Sequence, residues 1–179
     1  MCRRKILRIA RDSFEEKGYY DTSMNEIAQK AEVSVASLFN YFPTKLQLII
    51  EIEHMKAEDF SRILEELSSE TYSYTERLFH LLQSYLEDFI KYPRISYQIS
   101  EFRAFDIIPQ DANTDLREHL FLLIQAAVRE GELAPETDVT LILEFFLNLG
   151  YSIVSRKISR EKALEMFRTL LNFYRVQRI

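Results

Sequence analysis

Three glycines and four prolines among 179 residues leave this chain few places to turn sharply. With 47% hydrophobic and 28% charged residues, that shortage fits a helical globular protein and excludes collagen-like and disordered chains. The single cysteine, Cys2, cannot form an internal disulfide, and no charged-then-apolar signal segment opens the sequence, so a reducing, cytoplasmic location is expected. Long apolar runs are missing too. Stretches such as His119–Val128 meet charge well short of the ~20 residues that span a bilayer, and no membrane partner is expected. Scarce glycine leaves no phosphate-binding loop and no Gly-x-Ser-x-Gly elbow. The three histidines lie far apart and offer no zinc spacing; Glu51 and His54 have the spacing of a di-iron ligand pair but lack the second pair such a site needs. The chain is therefore expected to be no enzyme, with neither metal nor cofactor.

What is present is helical periodicity throughout. Ile6, Leu7, Ala10 and Phe14 share one face of a first helix that Gly18 ends. Ser23 with Glu26 makes a capping box for a short second helix carrying Met24, Ile27, Ala28 and Ala31. Ser34 caps a third, of about two turns, which Pro43 stops because residues before proline avoid helical geometry. Thr44 with Gln47 opens a long fourth helix. Ser73 with Glu76 opens a fifth reaching Lys91, and Pro93 stands at the first position of a sixth. Thr114, Thr137 and Ser159 cap three more, the last running to about Arg175. No strand pattern or repeat interrupts this, so the expected fold is all-α with about nine helices.

Charge divides the chain unevenly. Residues 1–45 hold eight Lys/Arg against six acids, a balance of +2, which leaves −7 for residues 46–179. A mildly basic head on an acidic body can present a local face to DNA, since salt screens charges beyond ~8–10 Å. Three short helices joined by tight turns meet the needs of a helix-turn-helix, whose last helix must have a dry side for support and a small or polar side for the major groove. Leu38, Phe42 and Val33 supply the dry side here. Domain boundaries are expected at 1–45 for the head and 46–179 for the body.

The segment Lys5–Leu48, with F-x-x-K-G-Y at Phe14–Tyr19, T-S-x-x-x-I-A at Thr22–Ala28, A-x-V-S at Ala31–Ser34 and L-F-x-Y-F-x-x-K at Leu38–Lys45, closely resembles the DNA-binding head of the TetR family of transcriptional regulators. Beyond residue 48 the likeness is architectural, apart from a modest match at Glu130–Pro135. The resemblance implies a homodimeric regulator, a repressor more than an activator, that binds a palindromic double-stranded DNA operator and is released by a small lipophilic or aromatic inducer. Position by position it implies that Ser23, Ser37, Tyr41 and Lys45 bind phosphates, while Val35, Ala36, Phe39, Asn25 and Asn40 face base edges or the sugar-phosphate walls. This chain departs from the family at two places. Glu32 stands where the turn often has glycine, and Val35-Ala36 where Lys-Gly is common, which shifts readout toward thymine methyl groups.

In the body, the resemblance implies a ligand-binding and dimerisation domain with an inducer pocket among helices four to seven, and Phe60, His80, Tyr85, Phe89, Tyr97, Phe102, Arg103 and His119 as candidate lining. An aromatic at helical spacing is also what an ordinary core contains. The last two helices are apolar around too much of their circumference for water, and Leu143, Phe146, Leu149, Ile153, Met166, Leu170 and Phe173 are expected in a two-fold four-helix dimer interface. The alternative reading is a helical protein-interaction module whose head has lost DNA binding, a reading kept open by Glu32 and the missing lysine at Val35.

Overall fold

The computed structural model describes residues 3–68, 71–108, 114–155 and 157–176. Among them nine helices run in order: α1 (Arg3–Lys17), α2 (Met24–Ala31), α3 (Val35–Tyr41), α4 (Lys45–Ser68), α5 (Tyr74–Lys91), α6 (Pro93–Ala104), α7 (Thr114–Arg129), α8 (Val139–Val154) and α9 (Arg160–Phe173). The described residues contain no strand, only an isolated bridge between Leu133 and Arg175.

Local chemistry sets most helix ends. The Ser23, Ser34 and Thr44 hydroxyls accept from the backbone N–H groups of Glu26, Ser37 and Gln47 at 3.0–3.1 Å, satisfying donors that have no partner within the helix. Gly18 closes α1 at φ 95°, a left-handed conformation glycine adopts freely. Two ends differ from expectation. Asp138, one residue past Thr137, caps α8 through the Leu141 N–H. The cap expected at Thr114 lies outside the side chains described. α9 stops at Phe173 because the chain beyond it turns to pair with the loop after α7, with the Ala134 N–H donating to the Tyr174 carbonyl at 2.7 Å.

Packing divides the chain into two units. The first contains α1–α3, α4 as far as Glu58, and α6. Its core joins Ile6, Ala10 and Phe14 of α1 to Ile27, Leu38, Phe42, Ile49 and Ile52, with Ile95, Ile99 and Phe102 of α6 closing it. This differs from the expected break at residue 45: the start of α4 and all of α6 belong with the head. The Glu15 carboxylate accepts from the Arg94 and Ile95 N–H groups at 3.2 and 3.0 Å, so α1 caps α6 from about 80 positions away.

The second unit contains the rest of α4 with α5, α7, α8 and α9. Leu78, Leu81, Leu82 and Leu86 of α5 meet Leu120 and Ile124 of α7, Ile142 and Phe146 of α8, and Phe167 of α9. Glu132 reaches the start of α5, where its carboxylate accepts from the N–H groups of Tyr74 and Thr75 at 2.8 Å.

Candidate nucleic-acid interface

The first unit presents α3 as a helix with one fixed side and one free side. Leu38 and Phe42, four residues apart, are fully buried in the core, and Val33 packs against it from the preceding turn. Burying a Leu and a Phe contributes roughly 1.5–3 kcal/mol each, enough to hold so short a helix in place. Val35, Phe39 and Tyr41 are 39%, 43% and 48% exposed, and Ala36 and Asn40 are exposed beside them. Large apolar side chains left in water on a rigid support mark a contact surface. The segment is not sealed within the fold, as a helical core element would be.

Ser23 and Asn25 at the start of α2 are exposed. Ser37 is half-buried and its hydroxyl lies 2.7 Å from that of Ser34, so the two hydroxyls share the cap. Lys45 has a different job from the phosphate contact expected of it. Its ammonium donates to the Tyr19, Tyr20 and Thr22 carbonyls at 2.6, 3.2 and 2.9 Å, which uses all three of its donors. It also lies 4.5 Å from the Tyr19 ring centroid. Burial lowers the pKa of this ammonium, with Asp21 opposing the shift. Lys45 thus fastens the α1–α2 turn to the start of α4.

Glu32 adopts φ 60°, ψ 40° at the C-cap of α2, the left-handed geometry that glycine tolerates at no cost. The exposed Glu32 carboxylate sits 3.1 Å from Lys5, which offsets its charge.

Other expected sites are rearranged by packing. Leu143, Phe146 and Leu149 lie at 0–6% exposure in the core of the second unit, so they line no surface in this chain. The outward side of α8 and α9 is a groove formed by Phe145, Met166, Leu170 and Phe173, the last 77% exposed, while Ile153 is half-buried. Gly150 serves a contact inside the unit, since a Cβ there would come within 2.5 Å of the Phe89 ring.

Of the candidate inducer residues, Tyr97, Phe102 and Arg103 fall in the first unit. There Phe102 is core, Tyr97 is exposed, and Arg103 pairs with buried Glu53 at 2.5 Å. Phe60, Tyr85 and Phe89 pack together in the second unit as tilted rings, with centroids 5.5 Å apart for Phe60–Tyr85 and 4.8 Å for Tyr85–Phe89. His119 is exposed, 3.4 Å from the Ser61 hydroxyl. His80 borders a cavity that Phe79 also lines, with further residues outside the expected set. Two of them, Arg168 and Arg175, lie seven apart on α9 and just beyond it, and that spacing was the available signal.

Glu51, half of the di-iron-like pair, is held by Arg3 at 2.6 Å, and the described residues contain no group of three or more side chains able to hold a metal. No helix among them is long and apolar enough to cross a membrane.

Comparison with known proteins agrees with this geometry. Residues 6–52 match the model of the bacterial regulatory proteins of the tetR family. The "Probable HTH-type transcriptional regulator YttP" of Bacillus subtilis strain 168 is 30% identical over 151 residues, covering 80% of this chain and 70% of that protein. Two crystal structures share the fold. A TetR-family regulator from Pectobacterium atrosepticum superposes with a TM-score of 0.75 at 22% identity, covering 98% of this chain and 94% of its own. The regulator FadR of Bacillus subtilis, in complex with stearoyl-CoA, gives 0.72 at 16% identity, covering 96% of each chain. With its helix-turn-helix anchored and its contact face free, the chain belongs to the TetR family of bacterial transcriptional regulators.

Proposed function

We propose that this regulator is a homodimeric repressor that binds a palindromic operator in double-stranded DNA through the α3 of each protomer and is released by a small lipophilic or aromatic ligand. The observation that carries the reading is the outward face of α3, where Val35, Ala36, Phe39, Asn40 and Tyr41 stand exposed over buried Leu38 and Phe42. Val35, Ala36 and Phe39 suit thymine methyl groups, and Asn40 suits the paired donor and acceptor of adenine; Ser23, Asn25, Ser37 and Tyr41 reach the backbone. α3 carries no Lys or Arg for a bidentate contact to guanine. The apolar groove on α8 and α9 supports a two-fold interface of the kind that spaces two recognition helices one helical turn of DNA apart. Ligand release has support from the fold neighbour that holds stearoyl-CoA.

Selection of bound sequences from a random DNA pool tests the reading. The expected product is a palindrome bound with a steep salt dependence. Phe39→Ala should weaken binding about tenfold or more while leaving the thermal melt unchanged, because the ring is exposed. Met166→Glu with Phe173→Glu should convert a dimer to monomers in sedimentation. A pool that yields no enriched sequence would leave the chain a helical interaction module instead.

A further inference from the structure

The second unit has a cavity of about 280 Å³ between the first turns of α5 and the end of α9. Its apolar wall is Phe79 and Leu171, and its polar groups are His80, Asn172, Arg168 and Arg175. Residues 46–179 carry a net −7, and cations of the second unit such as Arg62, Arg117, Arg160 and Lys162 each sit against a carboxylate, while Arg77 and Lys157 pack on tyrosine rings instead. Arg168 and Arg175 have no carboxylate within ion-pair distance among the described residues, although the charge of Arg175 helps to lower the Glu76 pKa, and both border the same cavity. The Arg168 guanidinium lies over the Phe79 ring, 4.8 Å from its centroid, so a planar cation stacked on an aromatic forms one side of the space. The Arg175 backbone is fixed by its bridge to Leu133.

One carboxylate, Glu76, also borders the cavity, but it is bound to the Ser73 N–H at 2.8 Å. Two arginines against one acid leave the site net positive. Along α9 the cavity residues 168, 171 and 172 are different from the groove residues 162, 165, 166, 169, 170 and 173, and the two sets adjoin only where Glu165 neighbours Asn172. Most of the groove would therefore stay open to a second chain with a ligand here.

We infer that this cavity is a binding site for a small organic anion, one with a flat apolar body seated on Phe79 and Leu171 and a carboxylate held by Arg168 and Arg175. Its lining shares no residue with the interior aromatic cluster of Phe60, Tyr85, Phe89 and Phe146. It stands whether or not the chain binds DNA.

Ligand-observed NMR with 2-naphthoate as the probe, and 2-naphthamide as its uncharged counterpart, tests the inference on the full-length protein. The acid should bind and the amide should bind at least about tenfold more weakly, since charge-assisted hydrogen bonds to a guanidinium are the strong term. Arg168→Ala and Arg175→Ala should each weaken naphthoate about tenfold. Glu76→Gln, which keeps an acceptor for the Ser73 N–H, should tighten it. Circular dichroism melts should be unmoved by either arginine change, because both residues are exposed. Equal binding of acid and amide, or naphthoate affinity unchanged in the double arginine variant, would overturn the site, as would no detectable binding of naphthoate.

Discussion

At single positions, the side chains with the clearest identities carry unexpected loads. Lys45 ends a motif that reads as a phosphate contact, yet its ammonium is surrounded by three carbonyls of one turn. Lys45→Met should cost about 2 kcal/mol in urea unfolding, the scale for hydrogen bonds from a charged donor, and should leave the salt slope of DNA binding where it was. A slope lowered by one unit would return Lys45 to the phosphate. Glu32 presents the opposite case, a residue held in a geometry it disfavours. A non-glycine residue in the left-handed region costs about 1–2 kcal/mol, whereas its exposed pair with Lys5 is worth well under 1 kcal/mol. Glu32→Gly should therefore raise stability by about 1 kcal/mol, read as a higher urea midpoint with an unchanged slope.

At the level of helices, close approach and capping from afar decide what periodicity leaves open. α8 is apolar on nearly every side, and Gly150 leaves room there for the Phe89 ring of α5. An added methyl would overlap the Phe89 ring, which packs on Tyr85 and has little room to yield. Gly150→Ala should lose about 1–3 kcal/mol despite alanine's better helix propensity, lowering the melting temperature by several degrees in calorimetry. A rise in melting temperature would mean that the α5–α8 contact is looser than the structure shows. The starts of α5 and α6 are each held by a distant carboxylate, Glu132 and Glu15, so these ends depend on the tertiary fold as much as on their own sequence.

For the whole molecule, the acid limit of stability follows from its carboxylates. Burial works to raise the pKa of Glu53, but Lys56 at 3.2 Å and Arg103 at 2.5 Å outweigh it and hold the carboxyl below its ordinary range. Glu26 is lowered chiefly by its hydrogen bond from Lys17, and Glu76 by the Ser73 N–H. A depressed folded pKa gives stability that is complete above the unfolded value near 4.5 and is lost as pH falls through the folded one. Urea midpoints should hold level from about pH 7 to 5 and then drop. Glu53→Gln removes the buried carboxylate that faces Arg103 and Lys56 and should cost about 3 kcal/mol at neutral pH, with a shallower loss below pH 4.5 than the parent. Equal acid slopes in the two proteins would assign the limit to other groups.

The sequence by itself determined the helices, because apolar spacing and Ser or Thr caps act within a turn or two of chain. It also placed the exposed face of α3, since Leu38 and Phe42 fall on one face and leave Val35, Ala36, Phe39 and Tyr41 on others. Only the tertiary structure decided which apolar side of α8 turns inward. Periodicity cannot rank two stripes on a helix greasy all round, so Leu143, Phe146 and Leu149 read as interface and proved to be core. The same holds for α6 joining the head, Lys45 turning to a loop some 25 residues earlier, and two arginines sharing a cavity with α5. Each depends on groups far apart in the chain being brought together, and local spacing carries no record of that.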